Sequence, residues 1–161
     1  MNTPEGITHP PQPRRPIEIL IVEDNEMDVL WTSTALRDAR VPNHVSVVGD
    51  GESALAFLRR EGKYAEAPDP DIVFLDLSLP RVNGHEVLAE MKADARLRSI
   101  PVVVVSASRA ESDVARAYGE RIVAYVVKCA SQDEYFTAIR AVKELWFHNV
   151  VLPPKSAQSG S

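Results

Sequence analysis

Acidic residues stand where two predicted β-strands end, in positions from which their carboxylates could do chemistry. Glu23 and Asp24 directly follow the apolar run 17–22, and Asp76 directly follows the apolar run 72–75. A nucleotide-binding fold would carry a glycine-rich loop after its first strand, with backbone amides free to bind phosphate. Two carboxylates at that place repel phosphate and attract a hard cation such as Mg²⁺. The pattern therefore indicates a metal-dependent site.

A hydroxyl and an ammonium follow two further apolar runs: Ser106 comes after 102–105 and Lys128 after 122–127. Taken singly, these polar residues have ordinary interpretations, because an Asp after a strand is often a helix cap, a Ser a turn residue and a Lys a solvated side chain. Taken together, three carboxylates, a hydroxyl and one ammonium make a cluster of like charge that is unfavourable unless a cation binds. The set therefore favours the metal-site interpretation.

Five short apolar runs alternate with five longer stretches of helical spacing. Runs such as 102–105 are β-branched and apolar at every position, which is typical of parallel strands covered on both faces. Strands β1 to β5 are predicted at 17–22, 45–48, 72–75, 102–105 and 122–127, and helices α1 to α5 near 26–39, 51–61, 84–93, 110–119 and 131–147. We expect an α/β fold, a doubly wound (βα)5 parallel sheet of five strands in the order 2-1-3-4-5. Its binding site would lie beyond the carboxyl ends of β1 and β3.

The ends of the 161-residue chain differ in composition from its middle. Residues 1–16 contain five prolines among polar residues, and we expect them to form a flexible arm. Residues 17–147 would form the single domain, and residues 148–161 a C-terminal extension whose part 153–161 is mobile. Ser131 and Glu134 stand in capping-box register at the start of α5.

Composition excludes several classes of function. The net charge of −5 argues against a nucleic-acid surface, which needs clustered Lys and Arg. The apolar runs fall far short of the roughly 20 residues of a membrane helix, and no signal peptide is recognised. The single Cys129 cannot form an internal disulfide, which agrees with a reducing compartment. We therefore expect a cytoplasmic protein with no nucleic-acid or membrane partner.

The polar motifs, in their order and spacing, resemble the receiver domain of two-component response regulators, which is a flavodoxin-like fold of the chemotaxis-regulator type. Pro80 and Gly84 stand four and eight residues after Asp76, Ser106 thirty residues after it and Lys128 fifty-two after it. The resemblance covers roughly residues 17–147. The motifs that carry it are Glu23-Asp24, Asp76-Leu77-Ser78-Leu79-Pro80, Asn83-Gly84, Ser106-Ala107 and Tyr125-Val126-Val127-Lys128.

The resemblance implies a role for each matching residue around the acceptor, Asp76. Asp24 would bind Mg²⁺ directly, Glu23 would reach it through water, and Asp76 and the backbone carbonyl of Ser78 would complete the metal site, in which Mn²⁺ could substitute. Asp76 would take the phosphoryl group from a histidine kinase as an aspartyl phosphate. The chain would catalyse only this phosphorylation and its reversal.

The resemblance also implies a conformational switch. Lys128 would pair with one phosphoryl oxygen, and Ser106 would hydrogen-bond another and pull the β4–α4 loop inward. The packing of Tyr125 would then change, and partners of the α4-β5-α5 face would sense the difference. The plainer interpretation of Tyr125 is an amphipathic residue at the edge of β5.

The chain departs from the usual receiver pattern at two positions and shares features with one group of receivers. Cys129 stands where many receivers have a proline, and Glu23 replaces the commoner aspartate. The non-proline residue after Lys128, the long connection before β3 and the aromatic α5 that runs into an apolar C-terminal stretch are similar to features of the single-domain regulators of bacterial phytochrome kinases. That similarity implies a homodimer through the α4-β5-α5 face and the C-terminal extension, with these interface residues: Trp146, Phe147, Val150, Val151 and Leu152. For Trp146 alone, completion of the core is the competing interpretation.

Three other functions remain open on the sequence. A phosphatase or dehalogenase-like hydrolase would also use Asp76 as a nucleophile, but it would need a second acid where Ser78 stands. A flavin-binding electron carrier shares the strand order but would need a hydroxyl- and glycine-rich first loop in place of Glu23-Asp24. A receiver that no longer uses phosphate could serve as a constitutive docking or dimerisation module.

Overall fold

The structure, a computed structural model, describes residues 15–37, 41–128 and 131–145. Helices and strands alternate along the chain, as the periodicity predicted. The strands are β1 Ile17–Val22, β2 Asn43–Val48, β3 Ile72–Leu75, β4 Val102–Ser106 and β5 Ala124–Val127, and the helices are α1 Glu26–Leu36, α2 Gly51–Arg59, α3 Gly84–Ala93, α4 Glu111–Gly119 and α5 Gln132–Glu144. A 3₁₀ turn, Gly62–Tyr64, lies in the connection before β3.

The five strands form one parallel sheet in the order β2-β1-β3-β4-β5, which confirms the predicted topology. The register sets Val22 of β1 opposite Leu75 of β3, and the Asp76 amide donates to the Val22 carbonyl. Glu23 and Asp76 therefore leave the sheet side by side. On the other side of β3, Ser106 of β4 pairs with Val127, and the Lys128 amide donates to the Ser106 carbonyl at 2.8 Å.

Two apolar clusters cover the two faces of the sheet. One is formed with α2, α3 and α4 and includes Leu58, Val87 and Met91, and the other is formed with α1 and α5 and includes Leu36 and Ile139. Every residue of β3 and β4 is buried, as expected for central strands whose alternate side chains enter opposite clusters. Full burial of one such aliphatic side chain contributes about 1.5–3 kcal/mol, so the two clusters hold the carboxyl edge of the sheet in place.

Several element ends differ from the sequence prediction. β2 begins two residues before 45, because polar Asn43 and His44 continue the pairing with β1 at the edge of the sheet. β5 begins at Ala124, although Ile122 and Val123 are apolar, because the chain turns at Arg121 with a positive φ of 60° and only then enters the strand.

The ends of the helices are well defined within the described residues. The Ser131 side chain accepts a hydrogen bond from the Glu134 amide at 3.4 Å, which supplies half of the expected capping box. α1 ends at Leu36, before the predicted 39. Residues 1–14, 38–40, 129–130 and 146–161 lie outside the described residues, so the arm, Cys129 and the proposed interface residues Trp146, Phe147, Val150, Val151 and Leu152 stay predictions.

Arg15, just before β1, binds Asp71, just before β3. Its two terminal nitrogens donate to the two carboxylate oxygens at 2.7 and 2.8 Å, and the Asp71 carboxylate also accepts from the Glu18 amide. Such a bidentate pair has the strongest geometry for an Arg–carboxylate contact. It fixes the amino-terminal edge of the sheet, opposite the edge where the polar motifs lie.

Among the described residues, no helix has the length and hydropathy needed to cross a membrane.

Two glycines, at the first positions of α2 and α3, allow the backbone of the β3–α3 segment to pack closely. A Cβ on Gly84 would lie 2.3 Å from the carbonyl oxygen of Asp76, and one on Gly51 would lie 1.9 Å from the carbonyl oxygen of Val82. Both distances are far inside van der Waals contact and both obstacles are backbone. The absence of a side chain at Gly84 therefore lets α3 begin in direct contact with the backbone of Asp76.

We expect Gly84→Ala to lower the free energy of unfolding by about 1–3 kcal/mol, because the new methyl group forces the β3–α3 backbone outward. Urea denaturation measures the change. Gly119→Ala is the matched control, since it is also a helical glycine but has no atom within 4 Å of its ideal Cβ position, and we expect it to be neutral or stabilising by up to about 1 kcal/mol. Equal stabilities of the two variants would contradict the close-packing argument.

Candidate functional site

Lys128 lies at the centre of the site, with its ammonium among carboxylates from three parts of the chain. Its Nζ donates to Glu23 Oε2 at 2.6 Å, to Asp28 Oδ2 at 2.8 Å and to Asp76 Oδ2 at 3.2 Å. The side chain is 15% exposed, so these contacts are only weakly screened by solvent. An ammonium has three N–H donors, and three carboxylates accept from it here.

The three acids singled out in the sequence come together at the carboxyl edge of the sheet. Carboxylate oxygens of Glu23, Asp24 and Asp76 lie within 4.8 Å of one another. Glu23 and Asp76 are 6% and 4% exposed, whereas Asp24 is open to solvent. The prediction that these carboxylates cluster is confirmed by the geometry.

The cluster carries more negative than positive charge. Four carboxylates, those of Glu23, Asp24, Asp28 and Asp76, face the single ammonium of Lys128. Burial, with the nearby Asp76 charge, raises the pKa of Glu23 to about 7 in spite of its bonds to Lys128 and to the Asn25 amide. Burial alone would lower the pKa of Lys128, but bonds to Asp28 and Glu23 and the charge of Asp76 raise it above its usual value. The pKa shift of Glu23 therefore comes mainly from burial, and that of Lys128 from the carboxylates around it.

A divalent cation fits the carboxylate cluster by the chemistry of its donors. The oxygens of Glu23, Asp24 and Asp76 are hard ligands, their spacing allows one ion to contact all three, and Asp24 leaves the group open to water on one side. Lys128 neutralises only part of the charge, so a cation would relieve the repulsion that raises the pKa of Glu23.

Asp76 is oriented by its own loop. Its Oδ1 accepts from the backbone amide of Ser78 at 3.0 Å, and its Oδ2 accepts from Lys128. Ser78 itself is exposed, two residues beyond Asp76. The contribution of its carbonyl to a metal site stays a prediction.

Ser106, buried at the end of β4, is linked to Tyr125 through a third residue, Ser108. Ser106 Oγ accepts from the Ser108 amide at 3.2 Å, and the Tyr125 hydroxyl donates to the Ser108 carbonyl at 2.9 Å. Tyr125 is half-buried against the apolar cluster formed with α2, α3 and α4. The β4–α4 loop is therefore hydrogen-bonded to both residues that the sequence nominated for the switch.

The same loop is anchored to α3 and α4. The Ser108 hydroxyl donates to Asp113 Oδ2 at 2.5 Å, and the other Asp113 oxygen lies 3.3 Å from His85 Nε2. These bonds to Ser108 and His85 lower the pKa of Asp113. The loop thus has a defined resting arrangement that any rearrangement must break.

Sequence reasoning missed Asp28 and Ser108. Asp28 stands in the first turn of α1, four residues after Asp24, where an acid is ordinary at a helix start. The available signal was that α1 begins at the carboxyl edge of the sheet, so its first turn borders the site. Ser108 has no signal of its own beyond lying two residues after Ser106.

The fold and the site together define a signalling domain in which a buried aspartate, an acidic cluster and a lysine meet at the carboxyl edge of a 2-1-3-4-5 sheet. A family model described as response regulator receiver domain matches residues 19–140. The chain therefore belongs to the response regulator receiver family, whose members accept a phosphoryl group on an aspartate. The predicted family and fold are confirmed.

Several response regulators are similar to this chain, and one of those described here is linked by its name to a phytochrome. The response regulator Rcp1 of Synechocystis sp. is 35% identical over 138 residues, which cover 86% of this chain and 94% of Rcp1. The structure of the phosphorylated cyanobacterial phytochrome response regulator RcpA superposes with a TM-score of 0.83 at 41% identity, covering 87% of this chain and all of that one. The Mn²⁺-bound form of Rcp1 gives the same TM-score at 34% identity, covering 86% of this chain and 100% of that one.

We expect the Mg²⁺ affinity of the protein to fall as the pH drops below about 7. The raised pKa of Glu23 means that a proton competes with the cation there, and at most about a tenfold loss per pH unit follows from displacement of one proton. Isothermal titration calorimetry with MgCl₂ at a series of pH values measures the effect. Glu23→Gln, which cannot titrate, should bind Mg²⁺ more weakly with a flatter pH profile. A wild-type profile as flat as that of the variant would contradict the assignment.

Proposed function

We propose that Asp76 is the phosphoacceptor and that the chain receives its phosphoryl group from a histidine kinase with a divalent cation, Mg²⁺ or in its place Mn²⁺. The observation that carries the proposal is the contact of buried Asp76 with Lys128 inside the carboxylate cluster. The family accepts phosphate on an aspartate, and Asp76 is the buried aspartate of this cluster, directly after β3, the middle strand of the sheet. Mn²⁺ is the ion in the related Rcp1 structure.

In the proposed transfer an oxygen of Asp76 attacks the phosphorus, the bond from phosphorus to the kinase histidine breaks, and that nitrogen keeps the electron pair. Glu23, Asp24, Asp76 and the Ser78 carbonyl would hold the cation, which when bound neutralises charge on the phosphoryl oxygens. Lys128 already donates to Asp76 and lies where a phosphoryl oxygen on that residue would be within its reach. The chain would catalyse its own phosphorylation and dephosphorylation and no reaction on another substrate.

The proposed switch is an exchange of hydrogen bonds at Ser106. In the resting protein Ser106 Oγ accepts from the Ser108 amide, and Tyr125 holds the Ser108 carbonyl. If Ser106 donates to a phosphoryl oxygen, the loop that carries Ser108 has to move with it, and Tyr125 loses its acceptor. The phosphoryl group would thereby shift the population towards a second arrangement of the α4–β5 region.

The output would be a homodimer through the α4-β5-α5 face and the C-terminal extension. Three large apolar side chains in or next to these elements are exposed: Tyr118 of α4 is 49% exposed, Val123 just before β5 42% and Leu145 just after α5 53%. Exposed apolar side chains of this kind are available for an interaction surface. The similarity to RcpA, a cyanobacterial phytochrome response regulator, supports a bacterial phytochrome as the kinase. A cytoplasmic location and the absence of nucleic-acid partners stay predictions.

Intact mass spectrometry after incubation with acetyl phosphate tests the acceptor. We expect the wild type to gain one phosphoryl group in Mg²⁺ and none in EDTA, and Asp76→Asn to gain none, because the amide oxygen is a poor nucleophile. Asp24→Asn is the companion variant, since it keeps the acceptor but weakens the cation site, and we expect slower phosphorylation that high Mg²⁺ partly restores.

Size-exclusion chromatography of the same samples tests the output, and we expect phosphorylation to shift elution towards the dimer. A folded wild type that gains no mass and is already dimeric would overturn the acceptor proposal and favour a constitutive docking module. A mass gain that persists in Asp76→Asn would place the acceptor elsewhere.

Tyr125→Phe tests the proposed loop coupling. Loss of the hydroxyl bond to Ser108 removes about 0.5–1.5 kcal/mol from the resting loop, so amide exchange across 107–110 should speed up by about two- to tenfold. Hydrogen–deuterium exchange followed by mass spectrometry measures it. Tyr118→Phe is the matched control, because the Tyr118 hydroxyl contacts the Tyr125 amide and not the loop. Equal exchange in the two variants would count against the coupling.

A further inference from the structure

Asp28 contacts the site ammonium more closely than Asp76 does. Its Oδ2 accepts from Lys128 Nζ at 2.8 Å, against 3.2 Å for Asp76, and its side chain is only 24% exposed. Asp28 is not one of the three acids whose oxygens lie within 4.8 Å of one another. It therefore faces Lys128 from outside the cation cluster.

Contacts on both sides of Asp28 along α1 hold this residue in position. Asn25 caps the helix and its side chain accepts from the Asp28 amide at 3.0 Å. One turn later on the same face, Thr32 is hydrogen-bonded to the buried hydroxyl of Tyr135 on α5. Trp31 adds a ring contact with Tyr135 at 6.1 Å between centroids. Packing between α1 and α5 thus fixes the face of α1 that carries Asp28.

A first-turn acid is also favourable at any helix N-terminus, so the contact must be weighed against that ordinary role. Glu26 lies in the same first turn and already provides such an acid, yet it is exposed and is not an acceptor of Lys128. The helix start alone therefore does not account for Asp28 facing Lys128.

The three acceptors of Lys128 differ in what they can do when a phosphoryl group arrives. Glu23 and Asp76 both belong to the cation cluster, and Asp76 would itself carry the phosphoryl group as an aspartyl phosphate. Asp28 has neither role, so it keeps its full charge and its hydrogen bond to Lys128. A phosphoryl oxygen must compete with that charge-assisted bond for the ammonium.

We propose that Asp28 is a positioning residue that holds Lys128 in the resting site and competes with the phosphoryl group for it. This inference rests on the proposed function of Asp76. Asp28 would therefore affect cation binding and phosphoryl binding in opposite directions. The negative charge of Asp28 assists cation binding, whereas its hydrogen bond to Lys128 opposes closure of Lys128 on the phosphoryl group.

The test uses Mg²⁺ alone and then beryllofluoride, a phosphoryl mimic, at saturating Mg²⁺, both followed by isothermal titration calorimetry on the full chain. We expect Asp28→Asn, which keeps the shape but loses the charge, to bind Mg²⁺ about two- to fivefold more weakly. We expect the same variant to bind beryllofluoride about three- to tenfold more tightly, because Lys128 is released from a charged acceptor. A purely structural defect would weaken both.

Glu26→Gln is the matched control, because it removes the same charge from the same helical turn without touching Lys128, and we expect both affinities to stay within about twofold of wild type. Asp28→Glu restores the charge and should keep the Mg²⁺ affinity within about twofold. Asp28→Ser, a good residue for a helix start, should repeat both shifts of Asp28→Asn and serves if that variant folds poorly.

Two outcomes would overturn the inference: equal behaviour of Asp28→Asn and Glu26→Gln, or shifts of both affinities in one direction. Failure of the wild type to bind beryllofluoride would instead count against the proposed function of Asp76. The two failures are therefore distinguishable, because the second appears before any Asp28 variant is measured.

Discussion

The contact between one ammonium and three carboxylates at the edge of the sheet is the interaction on which the rest of the site depends. Glu23 comes from the end of β1, Asp28 from α1 and Asp76 from the end of β3, and Lys128 crosses to all of them from the end of β5. With Asp24 included, negative groups outnumber the positive one. Burial, with the charge of Asp76, raises the pKa of Glu23, and the surrounding carboxylates raise the pKa of Lys128 in spite of its burial. The site therefore has an excess of negative charge that a bound cation would balance.

Sheet topology decides which side chains can make this contact. In the order 2-1-3-4-5 the ends of β1 and β3 are neighbours, but β5 is separated from β3 by β4. Lys128 spans that distance with its four-carbon stem, while the residue at the end of the intervening strand is the short Ser106. A shorter cation on β5 would not reach Asp76, and a bulky residue at the end of β4 would lie in the way. The residue types at the three strand ends are therefore linked by geometry.

The parts of this arrangement that sequence could predict are those that depend on strand periodicity. Runs such as 102–105 are apolar at every position because both faces of the sheet are covered, and the first polar residue after each run marks the carboxyl edge. This reasoning predicted that Glu23, Asp24 and Asp76 would meet. It missed Asp28 because the face of α1 that turns inwards is set by packing against α5, and that face carries the polar residues Asp28 and Thr32 and gives no apolar stripe. The start of the edge strand β2 was predicted two residues too late for a related reason, because half-exposed positions in an edge strand tolerate polar residues.

The β4–α4 loop shows that the resting state is an alternative set of bonds and not simply the absence of the active one. Ser106, Tyr125 and Asp113 each bind Ser108, through its amide, its carbonyl and its hydroxyl respectively. Each such bond contributes only about 0.5–1.5 kcal/mol net, so together they hold the loop without locking it. In the proposed switch, a charge-assisted bond from Ser106 to a phosphoryl oxygen would be of comparable or greater strength. The balance between the two proposed states would then be small enough for one covalent phosphoryl group to reverse, which is what a two-state switch requires.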